Sequence, residues 1–181
     1  MLLVITGSIA SGKTTLLEKL IEILKEKYKV GGVITIGREE KFFLNVKTKK
    51  QSVFSGSKEK DGETIGKYFI SKRALQFAKD AIISSLDSEI IFLDEIGRLE
   101  YNKKGIYEPT FNLLRKIEDL KQKIIIVAVR EGIQSEIYNL FKIKPDRVWK
   151  ITQYPQADLW EEIIHHIEMN FKKNEGGRAV S

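Results

Sequence analysis

Residues 7–15, GSIASGKTT, place two glycines, a lysine and two threonines at fixed offsets directly behind the apolar run LLVIT (2–6). The pattern Gly7-x-x-x-x-Gly12-Lys13-Thr14, set between a buried strand and a helix, is that of a phosphate-binding loop. Triphosphate oxygens have to be met by several inward-pointing backbone N–H groups, so the chain must curl tightly, and glycine permits both the dihedrals and the close approach. The backbone of Gly7, Ser8, Ile9, Ala10, Ser11, Gly12, Lys13, Thr14 and Thr15 is therefore the expected nucleotide cradle. The helix that opens near Lys13 would aim its positive end at the phosphates. Lys13 would reach the β- and γ-phosphates, and the Thr14 hydroxyl would ligate Mg²⁺.

A second cluster complements the first. IIFLDEIGRLE (90–100) delivers Asp94 and Glu95 at the end of an apolar strand. Asp94 is the expected second metal ligand, beside Thr14. Glu95 is the expected base that orients and deprotonates a water. Arg130, behind IIIVAV (124–129), stands at the carboxyl edge of another strand, where open α/β sheets bind ligands. It is either a cationic partner of the γ-phosphate or half of an ion pair with Glu131. Arg98 reads as structural. His165 and His166 are adjacent on a helix, so they face different ways and make no i,i+4 metal pair. Trp149 and Trp160 read as packing residues.

Positioning these groups requires alternating strands and helices. LLVIT, VGGVITI (30–36), EIIFLDE (89–95), KIIIVAV (123–129) and RVWKI (147–151) read as strands. Helices are expected over 13–27, over 71–86 with Ser71 as N-cap, from about Tyr107 with Pro109 in the first turn, over 133–141 and over 156–171. KFFLNV (41–46) and QSVFS (51–55) continue the second strand into a meander at one sheet edge, and GSKEKDGETIG (56–66) reads as a loop. The sum is an α/β domain with a mostly parallel sheet, expected over 1–172 and followed by a flexible tail, 173–181.

At 181 residues the chain is long enough for one full core. It has no cysteine, which excludes disulfides, thiolate metal sites and thiol catalysis and suits the cytoplasm. No apolar run is long enough to cross a bilayer, so no membrane is expected. The net charge of +6 favours polyanions. Clusters such as KTKK (47–50) lack interleaved aromatics, however, so nucleic acid stays open as a partner but is not favoured over nucleoside triphosphates. Nothing in the sequence bears on the oligomeric state.

The pair TGSIASGKTTL and DEIGRLE resembles the small thermostable-type nucleoside-triphosphatases, which include the cancer-related nucleoside-triphosphatase, with Leu99 standing where the family has methionine. GGVIT, VFS and GKYFIS between the two motifs are similar as well, and the resemblance covers roughly residues 1–130. It implies a RecA-like P-loop NTPase fold and Mg²⁺-dependent hydrolysis of several nucleoside triphosphates with low base selectivity. A nucleotide or small-molecule kinase on the same scaffold is the alternative, although no arginine-rich lid is visible. A guanine-specific switch would need an NKxD segment, which the chain lacks, and an ATPase coupled to RNA or to another partner stays open.

Overall fold

The structure, a computed structural model, describes residues 1–54, 61–65, 68–116, 122–152 and 158–176. In chain order the elements are β1 (Leu2–Gly7), α1 (Lys13–Leu24), β2 (Val30–Ile36), β3 (Phe42–Asn45), β4 (Gln51–Val53), β5 (Gly62–Ile65), β6 (Tyr68–Ser71), α2 (Lys72–Ile83), β7 (Ile90–Ile96), α3 (Arg98–Tyr101), α4 (Tyr107–Arg115), β8 (Ile124–Arg130), α5 (Gln134–Phe141), β9 (Arg147–Ile151) and α6 (Leu159–Gly176).

The main sheet runs β4-β3-β2-β7-β8-β1-β9. Every pairing from β2 to β9 is parallel, while β2–β3 and β3–β4 are antiparallel. The expected edge meander is thus present. One strand, β8, separates the loop-bearing β1 from the acidic β7, the RecA-like arrangement that the resemblance implies.

Burial explains why the strands read as continuous apolar runs. Leu2 and Val4 face a core shared with α2, α4 and α5, whereas Leu3 and Ile5 face α1 and α6. A strand covered on both sides has no polar face to alternate with. Phe92, Ile126 and Ala128 join the α1/α6 side, and Leu93, Val127 and Val129 join the other. Ser71 caps α2 as expected, its hydroxyl accepting from Ala74 N–H at 3.2 Å.

Three expectations need correction. Part of the segment expected as loop, Gly62–Ile65, is a strand that pairs antiparallel with β6 in a separate two-stranded sheet. Its glycines and charges mask a pattern too short to show a period, and 55–60 and 66–67 lie outside the described residues. The short helix α3 has no counterpart among the expected elements. At the far end α6 runs through Gly176, so the first residues of the expected tail continue the helix. The remainder, 177–181, is outside the described residues, as are 153–157.

Candidate active site at the carboxyl end of the sheet

The loop between β1 and α1 is held by backbone geometry that its sequence makes possible. Gly12 sits at φ +97 and Ala10 at φ +60, both left-handed, a region that costs a residue with a Cβ about 1–2 kcal/mol. Gly7 is needed for a different reason, since a Cβ there would lie 2.5 Å from both the Ile151 carbonyl oxygen and Ser11 Oγ. Ser11 Oγ is itself buried with no hydrogen-bond partner among the described residues. Helix α1 has no side-chain N-cap and no acidic residue in its first turn. Its leading N–H groups are therefore free for an anion. Ser8, Ile9, Ala10 and Thr15 are exposed around the loop.

Lys13 folds back across this loop. Its Nζ donates to the Gly7 carbonyl at 2.8 Å and to the Ser8 carbonyl at 2.6 Å. Burial lowers its pKa, opposed by the charges of Asp94 and Glu95. Thr14 points across the end of β8, where its hydroxyl donates to Asp94 Oδ2 at 2.8 Å. Asp94 is 4% exposed and accepts one further, longer bond from Thr35 N–H at 3.3 Å. Desolvation, reinforced by the charge of Glu95, pushes its pKa up to about 6. The Lys13 charge only partly offsets this, so the buried carboxylate still favours further positive charge. The hard oxygen pair Thr14 Oγ1 and Asp94 Oδ2 fits a small divalent cation such as Mg²⁺.

Glu95 adjoins Asp94 but behaves differently. The strand does not simply end there: the register of β7 against β8 shifts between Leu93 and Ile96, and Glu95 takes φ +61. This bulge lets Asp94 stay buried while Glu95 turns outward into solvent. Strict alternation along a strand would bury one of the two on the wrong face.

Sequence reasoning leaves Glu100 without a role. The structure makes it the clamp of the turn that follows the bulge. Its carboxylate, 5% exposed, accepts from Gly97 N–H at 3.0 Å and from Ile106 N–H at 3.2 Å. Desolvation raises its pKa to about 7 despite these bonds, and the charge of Glu95 adds to the rise. The available signal is the glycine three residues before a glutamate, a helix-start pattern. Nearby, Glu63 on β5 accepts from Gly105 N–H at 3.0 Å and ties the small hairpin to the same turn.

Arg130 ends β8 in register with Gly7. The ion pair weighed for it goes elsewhere, because Glu131 pairs with Lys150 at 2.5 Å. Among the described residues no carboxylate pairs with Arg130 or with Arg98, and both line one cavity with Ile9, Asp94 and Glu95. The Arg98 side chain is therefore at the site's edge rather than in a structural ion pair. Gln134 braces the Arg130 loop, accepting from Gly132 N–H at 2.7 Å and donating to Thr6 Oγ1 at 2.8 Å. Trp149 is buried and donates to Glu162, with His166 edge-on to its ring. Trp160 packs partly buried, with the Lys19 ammonium over its ring. Among the described residues no group of His, Cys, Asp and Glu reaches the three needed to hold a metal on its own. Among the described residues no helix is long and apolar enough to cross a membrane.

The chain is similar to several known proteins. The family model described as NTPase matches residues 2–164. Nucleoside-triphosphatase THEP1 of Methanocaldococcus jannaschii is 30% identical over 178 residues, covering 93% of this chain and 98% of that protein. The THEP1 of Methanosarcina barkeri is 25% identical over 167 residues, 76% of this chain and 95% of its own length. The crystal structure of THEP1 from the hyperthermophile Aquifex aeolicus superposes with a TM-score of 0.72 over 93% of this chain and 99% of that one. At 20% identity that likeness shows the fold alone. Since the family match spans both the loop and the acidic strand, the chain belongs to the NTPase family of P-loop nucleoside-triphosphatases.

Proposed function

We propose that the chain hydrolyses nucleoside 5′-triphosphates, ATP and GTP among them, to the diphosphate and phosphate, with Mg²⁺ held by Thr14 and Asp94. The observation that carries the reading is the divergence of two adjacent carboxylates, Asp94 buried on the Thr14 hydroxyl and Glu95 turned out by the bulge. The N–H groups of residues 7–15 bind the phosphates. Lys13 exchanges its bonds to the Gly7 and Ser8 carbonyls for the β- and γ-phosphate oxygens. Glu95 accepts a proton from the attacking water and holds it in line with the γ-phosphorus. Arg130 balances charge that builds on the γ-phosphoryl oxygens. The bound cation would supply further charge neutralisation across the β- and γ-oxygens.

Base selectivity is expected to be low, because the sequence shows neither a guanine-reading segment nor an adenine-specific pattern. Phosphate release with ATP, GTP, CTP and UTP tests this reading, with and without excess chelator. Turnover should require the cation, and efficiencies should agree within about a hundredfold, or ~2.7 kcal/mol. Full turnover in chelator, or one base preferred beyond that range, would overturn the corresponding part. The composition and site suit a cytoplasmic enzyme acting on free nucleotides.

A further inference from the structure

Arg130 is half-buried at the end of β8, in register with Gly7, the first residue of the phosphate loop. Among the described residues no carboxylate holds its guanidinium, so its placement depends on the backbone that carries it. That backbone turns at once, because Gly132 is left-handed at φ +89 and α5 begins at Gln134. The turn is fastened to β1 through both main chain and side chain. The Glu131 N–H donates to the Gly7 carbonyl at 3.1 Å. Gln134 accepts from the Gly132 N–H at 2.7 Å through Oε1 and donates to Thr6 Oγ1 at 2.8 Å through Nε2. Thr6 is buried and immediately precedes Gly7. One amide thus bridges the turn behind Arg130 and the strand that feeds the loop. The Glu131–Lys150 ion pair is largely solvent-facing and adds little to this fastening.

We propose that Gln134 is a positioning residue for triphosphate hydrolysis, holding Arg130 at the phosphate loop through its bridge from Gly132 to Thr6. The inference rests on the reading of Arg130 as a partner of the γ-phosphoryl charge given above. A guanidinium stabilises charge that builds in the transition state only if it is in place beforehand. Ground-state binding on that reading falls to the loop N–H groups and Lys13, not to Arg130. Loss of the bridge therefore slows the chemical step and leaves substrate binding nearly intact. A glutamine that merely started α5 would change the melting temperature and not the rate.

The test is steady-state phosphate release from ATP by the full chain with Mg²⁺, with the melting temperature of each variant measured alongside. Gln134→Ala should lower kcat about tenfold, the scale of a small misplacement remote from the chemistry, while KM stays within about twofold. Thr6→Val keeps the buried volume and removes only the hydroxyl at the other end of the bridge, so it should reproduce the loss. In an Arg130→Ala background, Gln134→Ala should have no further effect on kcat, because the group it positions is gone. A Gln134→Ala kcat within about twofold of wild type, a rise in KM alone, or the full loss repeated in the Arg130→Ala background would each overturn the role of Gln134. Arg130→Ala at wild-type kcat would instead remove the reading of Arg130, and the role of Gln134 with it. Absence of phosphate release by the wild-type chain would count against the nucleotide reading itself.

Discussion

The Glu95 backbone is where strain and chemistry meet. A glutamate held in the left-handed region carries about 1–2 kcal/mol, and non-glycine residues persist there mainly where the surrounding structure over-determines them, as at functional sites. Glu95→Gly should therefore raise the melting temperature of the metal-free chain, since it also removes a charge that repels Asp94 and Glu100, while abolishing turnover. A melting temperature that falls would mean that the bulge is unstrained. Glu95→Gln keeps size and a hydrogen-bonding oxygen but loses the proposed base. Single-turnover hydrolysis should drop roughly 10²–10⁴-fold, with triphosphate bound at least as tightly. A variant within about threefold of wild type would remove Glu95 as base. At the loop, Lys13→Ala should weaken triphosphate binding at least about tenfold, because a charged contact to phosphate contributes ~1.5–3 kcal/mol. Isothermal titration with a non-hydrolysable triphosphate measures this, and unchanged affinity in a folded variant would sink the role given to Lys13.

Between residues and the whole chain, the turn from β7 through α3 to α4 decides how firmly Glu95 is presented. Two left-handed glycines allow its contribution to be separated from simple strain. Gly105 has φ +63, and a Cβ there would sit 2.5 Å from Glu100 Oε1 and 3.1 Å from Leu99 Cβ. Gly132 has φ +89, and a Cβ there would meet nothing within 4 Å. Gly132→Ala should cost about 1 kcal/mol from conformation alone. Gly105→Ala should cost more, about 2–4 kcal/mol, because it also displaces a buried carboxylate from its donors. Urea midpoints compare the two directly, and equal losses would show that the Glu100 clamp adds nothing to the turn.

For the molecule as a whole, the two buried carboxyls set a pH dependence of unusual sign. Asp94 rises from 3.8 to about 6 and Glu100 from 4.5 to about 7. The folded chain thus holds more protons than the unfolded one between about pH 4 and 7, and stability falls as pH rises through that window. Surface carboxylates with lowered values, Asp87 and Glu162 among them, oppose the fall only at the acid end of the window, where the unfolded chain still takes up protons. At ~1.4 kcal/mol per unit, Glu100 alone contributes on the order of 3 kcal/mol. The metal-free chain should therefore unfold at higher urea at pH 5 than at pH 8, and Glu100→Gln should flatten the difference. An unchanged pH slope in that variant would show that Glu100 is ionised throughout.

Much of this was legible in the chain itself. The phosphate loop announces itself because its spacing is dictated by backbone geometry around an anion, and the parallel strands do so because burial on both faces demands unbroken apolar runs. Ser71 as a cap and the β2–β4 meander follow from equally local rules. What the sequence did not determine depends on neighbours far along the chain. The bulge that parts Asp94 from Glu95 arises from pairing β7 against β8, a strand distant in sequence. The small hairpin of β5 and β6 is too short to carry a period, and Glu63 fastens it to Gly105 only once the chain has folded. Likewise Glu131 was free on paper to pair with Arg130 until the sheet set Lys150 beside it. Local rules fix which backbone shapes are allowed, whereas the partner of a charge depends on which distant residue the sheet brings within reach, and that is a property of the tertiary structure.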